Sequence, residues 1–99
     1  MARNKRRVSP VHPGEILNEE FLKPLGMTVN ALALALRVPS NRLYAIVEGR
    51  RSITADTALR LARYFGTSAE FWVNLQAHYD LELARREVEE SIEASVQPR

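Results

Sequence analysis

The chain has 99 residues, about the length of one domain, which excludes a two-domain enzyme with a substrate cleft between its halves. Its composition, 45% hydrophobic and 26% charged, is that of a globular protein, and the absence of cysteine excludes disulfides, thiolate metal sites and a cysteine nucleophile. The net charge of +2 is unevenly spread: the charged residues are mostly basic within residues 3–7 and 37–63 and mostly acidic within residues 80–93. This separation favours a polyanion as the partner of the N-terminal and central parts of the chain.

The basic N-terminal stretch is not expected to be a targeting signal. Residues 3–7 are followed by Pro10 and Pro13 rather than by the apolar stretch that a secretory signal needs. The longest apolar run, residues 31–36, is far shorter than the ~20 residues that cross a bilayer. We therefore expect a cytoplasmic protein with no membrane partner, and a basic, flexible segment over residues 1–11.

Two helices are predicted in the first third of the chain. Pro13 suits the first position of a helix, where its missing N–H costs nothing, and Pro24 is expected to end that helix. Thr28 is a good N-cap for the second helix, because its side-chain oxygen can accept a backbone N–H. The second helix carries apolar residues at the i, i+3, i+4, i+7 spacing of a buried face, namely Val29, Leu32, Ala33 and Leu36.

A tight turn separates the second helix from a third. Pro39 interrupts the helical pattern, and the third helix is predicted to begin at Pro39 or Ser40 and to end at Gly49. Its inward face consists of Leu43, Ile46 and Val47. Two short helices joined by such a turn are typical of a helix-turn-helix motif, whose second helix enters the major groove of DNA.

Two further helices are predicted after the motif. Thr54 is the expected N-cap of the fourth helix, which Gly66 ends, and Thr67 with Glu70 has the capping-box spacing that opens a fifth. The apolar pattern becomes sparse after Leu83, so residues 84–99 are interpreted as a helical extension or a tail. Since no segment alternates like a strand, the fold class is all-α, with five helices and a main domain over residues 12–83.

The start of the third helix carries side chains suited to reading bases. Its outward residues are Ser40, Asn41, Arg42 and, one turn later, Tyr44. Asparagine can pair with adenine, arginine with guanine, and serine with a phosphate or a base edge. Contacts to the DNA backbone are predicted for the residues that flank this surface, Thr28, Asn30, Arg50 and Arg51. The alternative from pattern alone is a helical hairpin with an ordinary polar face.

No motif for catalysis or metal binding is present in the sequence. His12 and His78 lie 66 positions apart, without a partner at metal-ligand spacing, and are expected to be capping or interfacial residues. The chain has neither a Gly-rich phosphate loop nor a Gly-x-Ser-x-Gly nucleophile elbow. The sequence therefore indicates no enzyme, no metal site and no cofactor.

Three separated blocks of sequence are more specific than this pattern. They read HPGEIL and EFLKPLG within residues 12–26, GRRSITADTALRLA at residues 49–62, and FGTSAEFWVNLQ at residues 65–76, followed by YDL at residues 79–81. In this order they resemble the HigA family of antitoxins, which belongs to the phage-repressor-like helix-turn-helix proteins. The resemblance covers most of the chain, residues 12–81. Many repressor-like relatives have glycine in the turn where this chain has Arg37.

The resemblance implies the antitoxin of a type II toxin–antitoxin module. Such proteins bind and neutralise a ribosome-dependent, mRNA-cleaving toxin of the RelE-like type, and they repress their own operon by binding its double-stranded operator as homodimers. It also implies that the base-reading positions are those of the outward face described above. Dimer contacts in relatives often involve the C-terminal helix, where the candidates are Leu75, Tyr79 and Leu83. The alternative is that Phe71, Trp72 and Leu75 pack in the monomer core, which we favour for Phe71.

Two other functions remain open at this point. The first is a stand-alone helix-turn-helix repressor without a toxin, since toxin contacts leave no recognisable motif. The second is a helical adaptor that binds protein and has lost its DNA contact. The adaptor is disfavoured by four side chains that are suited to DNA contacts, namely Asn41, Arg42, Arg50 and Arg51.

Overall fold

The computed structural model describes residues 9–99, and these residues form five helices and no strand. The all-α prediction is confirmed, whereas the basic stretch at residues 3–7 lies outside the described residues. We label the helices α1 to α5. Helix α1 combines Pro13–Ile16, Leu17–Leu22 and Lys23–Leu25; α2 is Val29–Leu36, α3 is Ser40–Val47, α4 is Ala55–Phe65 and α5 is Ala69–Ser95.

Helix α1 does not end at Pro24, so that prediction is wrong. The segment before the proline, Leu17–Leu22, is π-helical. The N–H of Lys23 donates to the carbonyl of Asn18, five residues earlier, which makes this turn wider than an α-helical one. The wider turn relieves the clash between a proline ring and the preceding turn, and the helix continues until Gly26 adopts a left-handed conformation with φ 62°.

The predicted N-caps of α2 and α4 are confirmed. The Thr28 hydroxyl accepts a hydrogen bond from the N–H of Ala31 at 3.0 Å. The Thr54 hydroxyl accepts one from the N–H of Thr57 at 3.4 Å. Each bond satisfies a backbone donor that has no partner within the first turn of the helix.

The N-cap of α5 is Ser68, one residue later than the capping-box prediction placed it. The Ser68 hydroxyl accepts from the N–H of Phe71 at 3.0 Å. The Thr67 hydroxyl instead accepts from the indole N–H of Trp72 at 2.7 Å. Because a buried indole N–H needs an acceptor, this side-chain contact takes the Thr67 hydroxyl away from the helix end.

Trp72 lies at the centre of the core and is fully buried. The Phe21 ring contacts both the Trp72 ring, at a centroid distance of 5.0 Å, and the Phe65 ring, at 4.9 Å. Leu75 is half-buried and packs against this core. The core position favoured for Phe71 is wrong, because the ring lies at the edge of the core with 38% of its surface exposed. The core thus joins α1, α4 and the N-terminal third of α5 into one unit.

The C-terminal half of α5 projects away from this core. The helix continues across position 84 to Ser95, and every residue from 84 onward is exposed. Its 27 residues give it a length of about 40 Å. The molecule therefore measures 48 × 30 × 23 Å, with a radius of gyration of 16.1 Å, larger than the ~13 Å of a compact domain of this size.

The turn between α2 and α3 uses a left-handed residue that is not glycine. Arg37 has φ 60° and ψ 45°, and it is the one non-glycine residue with positive φ in the described part of the chain. The N–H of Val38 donates to the carbonyl of Ala33 at 3.1 Å, which completes a Schellman-type ending of α2. Position 37 therefore has the left-handed backbone conformation that glycine adopts most easily, but it is occupied by arginine.

Replacing Arg37 with glycine is expected to stabilise the protein. A left-handed L-residue costs roughly 1–2 kcal/mol, and the larger backbone entropy of glycine offsets part of that gain, so we expect about 0.5–1 kcal/mol. Thermal unfolding should show a Tm raised by a few degrees. Arg37→Ala is the matched control, because it removes the same side chain but keeps the left-handed penalty. An equal gain in both variants would mean that charge, rather than backbone strain, is responsible.

Candidate nucleic-acid interface

Helices α2 and α3 form the helix-turn-helix motif, with residues 37–39 as the turn between them. Leu36 of α2 and Leu43 and Ile46 of α3 are buried against the common core. This packing leaves the opposite side of α3 in contact with solvent. A recognition helix needs that exposure, because it must enter the major groove.

Helix α1 braces α3 through a close backbone contact at Gly14. A Cβ atom built on Gly14 would lie 1.7 Å from the carbonyl oxygen of Ile46 and 2.6 Å from its carbonyl carbon. Glycine is thus the one residue type that allows α1 to approach α3 this closely. The Gly14 N–H donates to Nδ1 of His12 at 2.9 Å, so His12 is the N-cap of α1, as the capping interpretation predicted.

The exposed face of α3 carries most of the predicted base-contacting residues. Ser40, Asn41 and Tyr44 are exposed, and Tyr44 retains 40% of its surface. At 100° per residue, Asn41 and Glu48 lie on the far side of the helix from the buried Leu43. Glu48 was not among the residues predicted from the sequence, although its i+7 spacing from Asn41 places it on the same face.

Arg42 lies at the edge of this face and is held by α4. Its guanidinium lies 3.5 Å from the carboxylate of Asp56, and 27% of its side chain is exposed. Arg60 donates to the same carboxylate oxygen at 2.7 Å and to the carbonyl of Leu36 at 2.9 Å. The hydrogen bond from Arg60 holds the pKa of Asp56 below its usual value. Asp56 and Arg60 thus connect α4 to both helices of the motif.

The residues predicted to contact the DNA backbone lie on both sides of this surface. Asn30 is exposed at the start of α2, whereas the Thr28 hydroxyl is already engaged in capping that helix. Arg50 and Arg51 are exposed in the segment after α3. Arg50 forms an ion pair with Glu48, in which its Nε donates to the carboxylate at 3.1 Å.

His12 anchors the segment that carries these two arginines. Its ring is hydrogen-bonded to the backbone of Arg51 and contacts the ring of Tyr79 edge-on at 4.9 Å. Burial lowers the pKa of His12, while the Asp80 carboxylate acts in the opposite direction. The neutral ring can then accept the Gly14 N–H, donate to Arg51 and hold the segment that carries Arg50 and Arg51 against α5.

Metal clusters and membrane-spanning helices were considered for the described part of the chain. Within residues 9–99, no three His, Asp or Glu side chains group closely enough to hold a metal ion. None of the helices formed by these residues combines the length and apolar character needed to cross a membrane.

Comparison with known proteins places the chain in a family. The helix-turn-helix family profile matches residues 19–72. The chain is 53% identical over 83 residues to virulence-associated protein I of Dichelobacter nodosus, covering 84% of this chain and 77% of that protein. A solved structure, an addiction module antidote protein of the HigA family from Coxiella burnetii, is 52% identical, with a TM-score of 0.88 and coverage of 93% of this chain and 100% of that one.

The chain belongs to the HigA family of antitoxins. The antitoxin HigA of Pseudomonas aeruginosa, solved with the higBA promoter, is 47% identical to this HigA-family protein, with a TM-score of 0.88 and coverage of 90% and 97% of the two chains. The resemblance found in the three sequence blocks is thereby confirmed. The HigA-family fold accounts for the exposed α3 and for the contacts that hold it between α1 and α4.

Proposed function

We propose that this HigA-family protein is an antitoxin that represses its own operon and neutralises a RelE-like, mRNA-cleaving toxin in the cytoplasm. The observation that carries the proposal is the exposed polar face of α3, with Asn41 near its centre and cationic side chains following it. Repression and neutralisation are both binding events. The proposal therefore assigns no enzymatic reaction, metal or cofactor to the chain.

The proposed DNA contacts divide into base and backbone contacts. The N-terminal turn of α3 enters the major groove, where the Asn41 amide pairs with adenine and Arg42, kept in place by Asp56, reaches a guanine. Ser40 and Tyr44 border these contacts. The first turn of α2 with Thr28 and Asn30, and the Arg50 and Arg51 side chains beyond α3, lie where phosphates pass on either side of the groove.

We further propose that the protein acts as a homodimer joined through α5. Of the positions predicted from the sequence, Leu75 packs in the core and Tyr79 contacts His12, so both are partly used within one chain. The opposite side of the same helix carries a second apolar row, Leu81, Val88 and Ile92, exposed by 51%, 42% and 49%. Because a helical segment of about a dozen residues is marginally stable alone, the projecting half of α5 needs a partner.

The homodimer defines the type of operator. A two-fold dimer presents two α3 helices to one face of the DNA, and such helices bind half-sites about 34–36 Å apart. The expected operator is therefore a palindrome with half-sites one helical turn apart.

Leu83, which is half-buried, lies beside the core-facing row and is expected to contribute less to the interface than Val88 or Ile92.

A binding experiment with the full-length protein tests repression. Fluorescence anisotropy would compare duplex DNA from upstream of the gene with a scrambled duplex over a series of salt concentrations. We expect a preference of about 10³-fold or more for the upstream duplex. Equal, steeply salt-dependent binding to both duplexes would contradict sequence-specific repression. Co-expression with the neighbouring reading frame tests the toxin: failure to co-purify a small basic partner would leave a stand-alone repressor.

Replacing Asn41 with alanine should weaken binding to the operator and relax its sequence preference. Loss of a bidentate base contact costs about 1–3 kcal/mol on the operator and much less on the scrambled duplex. Arg51→Ala is the comparison, because loss of a phosphate contact weakens binding to both duplexes and lowers the salt dependence by about one unit. The same anisotropy titrations measure both variants. If Asn41→Ala weakened both duplexes equally, its assignment to a base would be wrong.

A further inference from the structure

A carboxylate lies among the residues that face the DNA in the proposed function. Glu48 is on the same exposed face of α3 as Asn41, and its carboxylate oxygen accepts hydrogen bonds from Nε and from one terminal nitrogen of Arg50. Both side chains remain open to solvent, with 55% of Glu48 and 64% of Arg50 exposed. The Arg50 guanidinium, which is expected to contact a phosphate, is thus already paired with the Glu48 carboxylate.

Stability does not explain a glutamate at this position. Glu48 is the C-cap of α3, where the partial negative charge of the helix end disfavours a carboxylate. An exposed ion pair such as that with Arg50 contributes little to folding. A carboxylate on a DNA-facing surface also repels phosphates. The residue is therefore unfavourable or neutral in every structural respect, which points to a role in binding.

We propose that Glu48 determines specificity by suppressing binding to DNA that is not the operator; this inference rests on the proposed DNA-binding function. Against an arbitrary sequence, the Glu48 carboxylate offsets the charge of Arg50, so that the phosphate contact gains little. At the operator, the carboxylate accepts a hydrogen bond from a cytosine amino group in the major groove. Arg50 is then released to the adjacent phosphate. The repulsion between the Glu48 carboxylate and the DNA is thus offset at the operator but not at other sequences.

The test compares Glu48→Gln with Glu90→Gln, which makes the same charge change at an exposed position on the projecting half of α5. Each full-length variant is titrated with the upstream and the scrambled duplex by anisotropy at salt concentrations from about 50 to 200 mM. For Glu48→Gln we expect scrambled DNA to bind about threefold to tenfold more tightly, with a log–log salt slope steeper by about 0.9, the value for one added phosphate contact. The operator should gain nothing, so the specificity ratio falls by the same factor, about threefold to tenfold.

Three results would overturn the inference but leave the proposed function standing. Glu48→Gln matching Glu90→Gln on both duplexes would show that the local carboxylate has no effect, and an equal gain on both duplexes would show that it affects charge but not specificity. A lowered Tm with equally weakened binding would show a structural role, whereas we expect the Tm to stay the same or rise slightly. If the wild-type protein itself binds the two duplexes equally, the proposed function fails, and this inference fails with it.

Discussion

Gly14→Ala is expected to destabilise the protein more than any other substitution that adds or removes a single methyl group. The added Cβ would lie 1.7 Å from the Ile46 carbonyl oxygen, and since the obstacle is backbone, no side-chain rotation can relieve the contact. Helix α1 must then move away from α3, which also disturbs the His12 cap. Overpacking of well-packed sites costs 1–3 kcal/mol or more, and we expect the upper end of that range, at least about 3 kcal/mol. Thermal unfolding should show a Tm lower by ~12 °C or more.

Gly26→Ala is the control for this prediction. Gly26 has φ +62°, and a Cβ built on it meets nothing within 4 Å, so alanine there carries the left-handed penalty without a clash. The smaller backbone entropy of alanine offsets part of that penalty, which leaves a net cost of about 0.5–1 kcal/mol. If Gly14→Ala were no more destabilising than Gly26→Ala, the contact between α1 and α3 would be looser than the structure indicates. Operator binding by Gly14→Ala, measured below its Tm, should also weaken, because α3 loses the helix that braces it.

The helices could be predicted because their signals are local. The hydroxyl groups of Thr28 and Thr54 cap the helices that follow them, and Gly66 ends α4 with a positive φ. Each of these signals acts over a few residues, so the sequence contains all that is needed to detect it. The apolar spacing of α2 is local in the same way and identifies its buried residues Leu32, Ala33 and Leu36.

The errors arose where a competing side-chain contact or an unusual turn overrides the local rule. Thr67 satisfies the capping-box spacing, but its hydroxyl binds the indole N–H of the buried Trp72 instead. Pro24 would end a regular α-helix, but the preceding π-helical segment accommodates it. Neither the position of an indole nor the width of a turn can be inferred from the spacing of residue types.

The candidate interface was partly predictable for the same reason. The exposed face of α3 follows from its period, so Ser40, Asn41 and Tyr44 could be named from the sequence. The ion pair of Arg42 with Asp56 joins residues fourteen positions apart on two helices and could not be predicted from either helix alone. Glu48 could have been found, because its spacing from Asn41 places it on the same face.

The apolar row on α5 leads to the second large expected effect: Val88→Asp should abolish the dimer and with it most of the operator affinity. A charge at the centre of the proposed interface would be buried without a partner, which strongly disfavours association. Each monomer then holds one half-site, and the advantage of binding two linked half-sites, typically 10²–10⁴-fold, is lost. Sedimentation should give the mass of a monomer, and anisotropy an operator affinity lower by about 10²-fold or more.

Val73→Asp is the matched control, because Val73 lies on the same helix, is 40% exposed against 42% for Val88, and lies outside the row formed by Leu81, Val88 and Ile92. It should leave both mass and operator affinity nearly unchanged. Circular dichroism adds an independent measure, since the projecting half of α5 should lose helicity when its partner is absent. A monomeric Val88→Asp that keeps full operator affinity would show that one α3 helix suffices. If Val88→Asp remained dimeric, the interface would lie on another surface, and the next candidates would be Leu75, Tyr79 and Leu83. The true interface must stay paired in that variant, because it holds the two α3 helices on one operator.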